Sequence, residues 1–417
     1  MQRFRRLAAA TVAASSLALM TPLLARERAA HDPDGNRLDH VVVIVMENHA
    51  YDQIVGNPNA PFTNAYVREA NTADNYFAIA HPSLTNYLEL VGGSNFGVLS
   101  DNSPNWHNHA CKPDIVKPYS QNRDDAGSGA ICPIAGTGMD AATVAVDTTN
   151  EVTLPYVPSL VNIDGAAIPS APTVGKSIAD QLAERGRSWK SYQENLPPYG
   201  ADGVNNSDGF YNSTTGFAHA LPKERQTLIN LYAAKHNPFV YFRSVQDHGL
   251  GNVAGFQGPQ GLFDDLASGT LPDFALIAPN QCNDQHGRGN AGPACDFDPG
   301  PLGDGTYNDG SANFLNPALI YQGDLTLRTL VTAIHGSKAW HQGRNAIVVI
   351  WDENDYSAIN NRVLVIVDTS DGDHGVHSQR RYTHFSLLKT IQAGLGLPCL
   401  NHTCDANVPL MEDVFGR

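Results

Sequence analysis

VVVIVMEN, residues 41–48, is a continuous apolar, β-rich run that stops on an acid and an amide. No polar residue alternates through Val41–Val45, so both faces of the segment are expected to be buried, as in a strand of a largely parallel sheet. Runs of the same kind recur at Phe239–Phe242, Phe274–Ala278, Ile347–Ile350 and Val363–Val367. Helix-patterned segments lie between them, at Val174–Arg185, Glu224–His236 and Leu325–His335. The alternation predicts an α/β fold: a mostly parallel central sheet flanked by helices, with long loop insertions.

The residues just past each run carry the chemistry. Glu47 and Asn48 end the first. Gln193 and Glu194 end the segment WKSYQENLP. Asp247 and His248, Asp284 and His286, then Asp352, Glu353 and Asp355 come after the next ones, and Asp368, Asp373 and His374 after the last. In open α/β sheets ligands bind outside the carboxyl ends of the strands. Loops carry Asp, Asn and His for turn-making as well, but six such groups in sequence point to a site. Oxygen and imidazole donors without a usable thiolate suit magnesium, calcium, manganese or zinc.

HPSLTNYLEL, from His81, supplies the candidate nucleophile. Leu84, Tyr87, Leu88 and Val91 make one buried helical face, closed by Gly92-Gly93. Ser83 therefore stands at or just before the first turn, where backbone N–H groups and the helix dipole favour an anion. The decamer alone reads as an N-cap. A nucleophile that attacks phosphorus beside a metal, with the helix N–H groups holding the phosphoryl oxygens, is compatible with that. Thr85 is the alternative nucleophile. A serine-hydrolase elbow of the GxSxG kind is absent around Ser83.

The chain opens with Arg3, Arg5 and Arg6 followed by an apolar, small-residue stretch to Ala25, the pattern of a signal peptide over residues 1–25. A secreted or periplasmic location is the expectation, with no stable membrane insertion. Its removal takes the formal net charge from -15 to -18 by deleting three arginines. A protein this acidic has no general attraction for nucleic acid. Six cysteines in an exported chain favour disulfides, and their spacing suggests Cys111–Cys132, Cys282–Cys295 and Cys399–Cys404. Residues 38–417 read as a single domain, with 106–172 as a loop-rich insertion or cap.

ENHAYD at Glu47, HPSLTNYLELVGGS at His81, YQENLP at Tyr192, PNQCNDQH at Pro279, WDENDYS at Trp351 and THFSLLKTI at Thr383 occur in this order. Together they resemble the phosphoesterase family of secreted acid phosphatases and bacterial phospholipases C, which is similar in fold to the alkaline phosphatase superfamily. The resemblance implies a metal-dependent phosphoesterase acting on phosphate monoesters through Ser83. It implies Glu47, Asn48, Asp352 and Glu353 as metal ligands, and Asn48, Asn86 and His248 as substrate contacts. His286 and His384 would contact phosphate or protonate the leaving group. A histidine acid works best below about pH 6.5, so an acidic optimum is expected. No second full Asp/His set is evident, which favours a single divalent ion. The alternatives are a phospholipase C or a phosphoinositide phosphatase, binding a lipid head group. Asp355-Tyr356 after the acidic pair departs from the phospholipase pattern. A non-catalytic protein that binds metal and phosphate is the rival from another class.

Overall fold

β1 (His40–Met46) leads through α1 (Tyr51–Ile54) and α2 (Pro61–Glu69) to the short strands β2 (Asn71–Ala73) and β3 (Tyr76–Phe77), and then to α3 (Ser83–Gly92). Strands β4 (Thr137–Met139) and β5 (Pro172–Val174), helix α4 (Ile178–Glu184), and strands β6 (Trp189–Gln193) and β7 (Val253–Gly255) come next. The chain continues with α5 (Leu262–Ser268), β8 (Phe274–Ala278), α6 (Pro317–His335), β9 (Asn345–Trp351) and β10 (Val365–Thr369). It ends in β11 (His377–Ser378), β12 (Tyr382–Thr383) and α7 (His384–Gly394). The computed structural model describes residues 37–98, 100–108, 110–111, 130–139, 172–197, 231–287, 317–355 and 360–416. Asn36–Arg417 constitute one compact unit. The expected signal peptide, Cys295 and most of the 106–172 insertion lie outside the described residues.

Eight strands form one sheet in the order β11-β2-β10-β9-β1-β8-β6-β7. β1 pairs in parallel with β8 and β9, and β6 in parallel with β8 and β7. The fold is therefore α/β, a largely parallel sheet flanked by helices. The central position of β1 explains its sequence: Val41–Met46 are all at most 3% exposed, because neighbours cover both faces.

β10 runs antiparallel to both β9 and β2. This corrects the reading of Asp368, Asp373 and His374 as carboxyl-end groups of the site. The reversed strand delivers them to the opposite end of the sheet, where Asp368 pairs with Ile347 and its carboxylate meets His335 at 2.8 Å. The expected strand Phe239–Phe242 is also corrected. Pro238–Tyr241 is a 3-10 turn whose four residues are all buried. A short apolar run satisfies a buried turn as well as a buried strand, and Pro238 at its first position favours the turn. α4 starts later than expected, after Ser177, whose backbone N–H is accepted by Asp180 in a capping box.

α3 is buried along its whole length. It ends at Gly93, whose φ of +66° and close approach to the Leu400 carbonyl leave no room for a side chain. Two disulfides match the expected pairs Cys111–Cys132 and Cys399–Cys404. Cys282 is disulfide-bonded as well.

A buried carboxylate joins α2 to α6. Asp324 accepts the backbone N–H groups of Phe62 and Thr63 at 3.0 and 2.7 Å and the Thr63 hydroxyl at 2.7 Å. It supplies the charge that the N-terminus of α2 favours. Asp324→Ala should lower stability by about 2–4 kcal/mol through lost capping and orphaned donors, read as a lower urea midpoint. An unchanged midpoint would show that α2 docks without this contact.

Candidate active site

The carboxyl ends of the adjacent strands β9, β1 and β8 deliver Asp352 and Glu353, Glu47 and Asn48, and Asp284. Glu47, Asp284, Asp352 and Glu353 are 0% exposed. Asn48 adopts a positive φ of 47°, a conformation Asn tolerates, so the chain turns sharply off β1. Its backbone N–H donates to Asp352 Oδ1 at 3.2 Å, which ties the ends of β1 and β9 together.

Ser83 is the first residue of α3, and Pro82 rather than Ser83 holds the N-cap position. Its Oγ lies 3.0 Å from Glu47 Oε2, 3.0 Å from Glu353 Oε1 and 3.4 Å from Asn48 Oδ1. The structure thus brings Ser83, Glu47, Asn48 and Glu353 to one point, with Asp352 behind Asn48. Thr85 faces elsewhere, donating its hydroxyl proton to Val98 O at 3.1 Å.

A second group of donors meets Glu47 from the other side. His236 Nε2 is 3.2 Å from Glu47 Oε1, and His236 Nδ1 is 3.2 Å from Asp284 Oδ2. The His236 ring stacks on Tyr87 at 5.3 Å. Ligand atoms of Glu47, His236 and Asp284 all lie within 4.8 Å of one another. His236 and Asp284 were not among the ligands expected from the sequence, and with Glu47 they form the one such candidate metal group among the described residues. His236 closes the 3-10 turn Ala234–His236, which Pro238 limits. Nothing in the local pattern announces that this turn is buried. Lys235, also fully buried, places Nζ 3.1 Å from Asp101 Oδ2 and 3.2 Å from His286 Nε2.

Several expected contacts are not formed. Asn86 spends its amide on structure: Oδ1 accepts from Ile79 and Ala80, and Nδ2 donates to Ala80 O and to Glu353 Oε2. It orients Glu353 and has no donor left for a phosphate. His248 is exposed on the one-turn segment Val245–Gly249, which packs on Trp189 at the amino end of β6, away from the cluster. His384 is fully buried. Its Nε2 faces Asp352 O at 2.7 Å and its Nδ1 the Tyr76 hydroxyl at 2.9 Å. A carbonyl only accepts, so Nε2 carries the proton and Nδ1 accepts from tyrosine. Burial pulls its pKa down to about 4, and the ring positions Asp352 rather than reaching a leaving group. The N–H groups at the start of α3 are occupied too: that of Leu84 by Asp101 Oδ1 at 2.9 Å, that of Thr85 by Pro82 O.

The donor set fits a divalent cation. The Ser83 hydroxyl has one proton for three neighbouring acceptor oxygens, so it satisfies one of them at a time. Burial, then the charge of Asp352, push the Glu47 carboxyl well above the usual carboxylate range. Burial, then Glu47, do the same to Asp284. A divalent ion reverses both effects by supplying the missing positive charge, and carboxylate with imidazole suits zinc, manganese or magnesium better than a soft metal. A cavity of about 650 Å³ opens beside Asn283, lined among others by Glu194, Asn195, Phe256, Phe263 and Gln322.

Residues 57–294 match the model of the Phosphoesterase family. The chain is 24% identical over 386 residues to a probable acid phosphatase of Kluyveromyces lactis, covering 90% of this chain and 63% of that protein. It is 22% identical over 380 residues to an acid phosphatase of Aspergillus fumigatus, covering 90% and 59%. It is 22% identical over 378 residues to a phosphatidylinositol-3-phosphatase of Mycobacterium tuberculosis, covering 90% and 83%. The chain thus spans less than two thirds of either fungal relative.

The raised carboxyls set the sign of a pH effect. Their contribution to stability is present below the unfolded carboxylate pKa and is lost as pH rises through the raised folded values. A bound cation replaces the proton and removes that loss. The gain in Tm on adding zinc or manganese to chelator-treated protein should therefore be larger at about pH 7.5 than at about pH 5. An equal or smaller gain at the higher pH would count against a cation held by Glu47 and Asp284.

Proposed function

The chain belongs to the Phosphoesterase family, and on that premise we propose that it is a metal-dependent phosphoesterase of acid phosphatase type, hydrolysing phosphate monoesters through Ser83. The observation that carries this reading is the Ser83 hydroxyl, 3.0 Å from carboxylate oxygens of both Glu47 and Glu353 at the end of a buried helix. As Oγ attacks phosphorus, its proton passes to one of these carboxylates. The Oγ–P bond forms while the bond from phosphorus to the alcohol oxygen breaks, and that oxygen takes up a proton. Water then displaces Ser83 from the phosphoserine and Oγ recovers its proton.

A divalent ion held by Glu47, Asn48 and Glu353, or by Glu47, His236 and Asp284, would neutralise charge on the phosphoryl oxygens. Asp352 and His384 hold that ligand set in place. His286 is the histidine proposed to line the ester site, because the residue is partly exposed whereas His384 is sealed, and it would contact the ester by exchanging its Lys235 contact for one to substrate. The cavity beside Asn283 is the space proposed for the alcohol part of the substrate.

The names of the fungal relatives favour a simple monoester, and that of the mycobacterial relative favours a phosphoinositide as the second reading. A phospholipase C reaction at the same residues is a further alternative. Export is proposed from residues 1–25, and the disulfides are supported best by an oxidising compartment. Among the described residues no helix is long and apolar enough to cross a membrane.

Metal-loaded protein incubated with a phosphomonoester and phosphatidylcholine together, followed by phosphorus NMR, should release inorganic phosphate and no phosphocholine. Phosphocholine would turn the assignment to a phospholipase C, and neither product would favour a binding protein. Ser83→Ala should cut turnover by about 10³-fold or more while leaving Tm close to wild type, and Thr85→Ala should stay within about tenfold. Substantial activity in Ser83→Ala would move the nucleophile to Thr85.

A further inference from the structure

Lys235 is the one lysine among the described residues whose side chain is completely buried, in a chain of net charge -15. An ammonium in such a place needs partners, and one carboxylate would suffice for the fold. Lys235 has Asp101, at 3.1 Å, and reaches beyond it to His286 Nε2, at 3.2 Å. An ammonium only donates, so Nε2 accepts and His286 Nδ1–H donates to Gly287 O at 2.8 Å. The backbone N–H of His286 meanwhile donates to Asp284 Oδ1 at 2.8 Å. Asp101 uses its other oxygen, Oδ1, to accept the N–H of Leu84, the peptide immediately after Ser83.

These contacts form one hydrogen-bonded line. It starts at the N-terminus of α3, passes through Asp101 and Lys235, and ends on the loop that carries Asp284 and His286. α3 and that loop are about 200 residues apart in the chain, so the line joins segments that meet only in the folded protein. We infer that Lys235 is a positioning residue that sets the placement of His286 relative to Ser83, with Asp101 as the anchor they share. The inference rests on the proposed phosphoryl transfer at Ser83. The same charge also pulls the Glu47 and Asp284 carboxyls back towards ionisation, so its removal is felt on the metal side of the site as well.

Lys235→Met alone would leave the Asp101 charge buried without its cation and would unfold the protein for reasons unrelated to positioning. The informative variant is Asp101→Asn with Lys235→Met. It removes both charges at similar volume and keeps the side-chain oxygen that caps Leu84 N–H. The metal-loaded pair variant should regain a Tm within a few degrees of wild type. Its kcat on a phosphate monoester should nonetheless fall about tenfold or more, with KM changed by less than about threefold, because a reacting geometry displaced by about 1 Å loses rate before binding. In its crystal structure the His286 ring should shift relative to Ser83. Added to His286→Ala, the pair should cost little further kcat, because Lys235 acts through that ring.

A folded pair variant with wild-type kcat and an unmoved His286 would overturn the inference, as would losses that multiply in full with His286→Ala. If the pair does not fold, Lys235→Gln, which keeps a donor, is read by the same three measurements. If wild-type protein turns over no phosphate ester, the functional reading fails by itself. Lys235 is then judged on the His286 position in the variant crystal.

Discussion

Glu47 is a carboxyl group that water cannot reach, and each of its oxygens must be answered by a different neighbour. Oε2 faces Ser83, and Oε1 faces His236. Around it stand Asp284, Asp352 and Glu353, equally sealed. Four carboxylates in one dry volume repel one another, which is why burial and mutual charge hold Glu47 and Asp284 towards their protonated forms. The surrounding structure consists largely of the groups that make this concentration of charge tolerable: His236 between two carboxylates, Lys235 behind them, Asn86 and His81 on Glu353. A site that stores unfavourable charge in this way is prepared for a cation.

The sheet explains how the charge is assembled. β9, β1 and β8 are neighbours and run in parallel, so their carboxyl ends lie side by side although they are far apart in the chain. β1 and β9 are apolar to their last residue and turn acidic at once, whereas Asp284 follows the end of β8 by six residues. α3 then inserts Ser83 at these strand ends, fixed at its start by Asp101 and at its end by Gly93. Ser83 is thus carried on a rigid element rather than on a loop, which keeps its hydroxyl within hydrogen-bond reach of residues from two strand ends at once.

Some of this was legible in the residues. The apolar runs at Val41, Phe274 and Ile347 identify buried strands, because a strand covered on both faces has no polar positions to show. The acids behind them are legible for the same reason: the change from apolar to acidic marks the strand end. Ser83 is visible from its place before a helical stripe. Phe239–Phe242 misleads, since burial is all that an apolar run encodes and a 3-10 turn satisfies it equally. Asp368 and His374 mislead because strand direction is a pairing property, set by β9 and β2 rather than by β10 itself.

The amino-acid sequence by itself determined the class of fold, the strands that end in acids, and the helix that begins with Ser83, because each is a local pattern of polarity. Only the tertiary structure decided which of the polar groups share a volume. It withdrew His248, sealed His384 behind Asp352, spent Asn86 on Glu353, and brought in His236, Lys235 and Asp101, whose local sequence carries no sign of a site. Whether a side chain meets substrate or supports its neighbour depends on how its hydrogen bonds are shared among residues remote in the chain, and those partners exist only once the strands have paired.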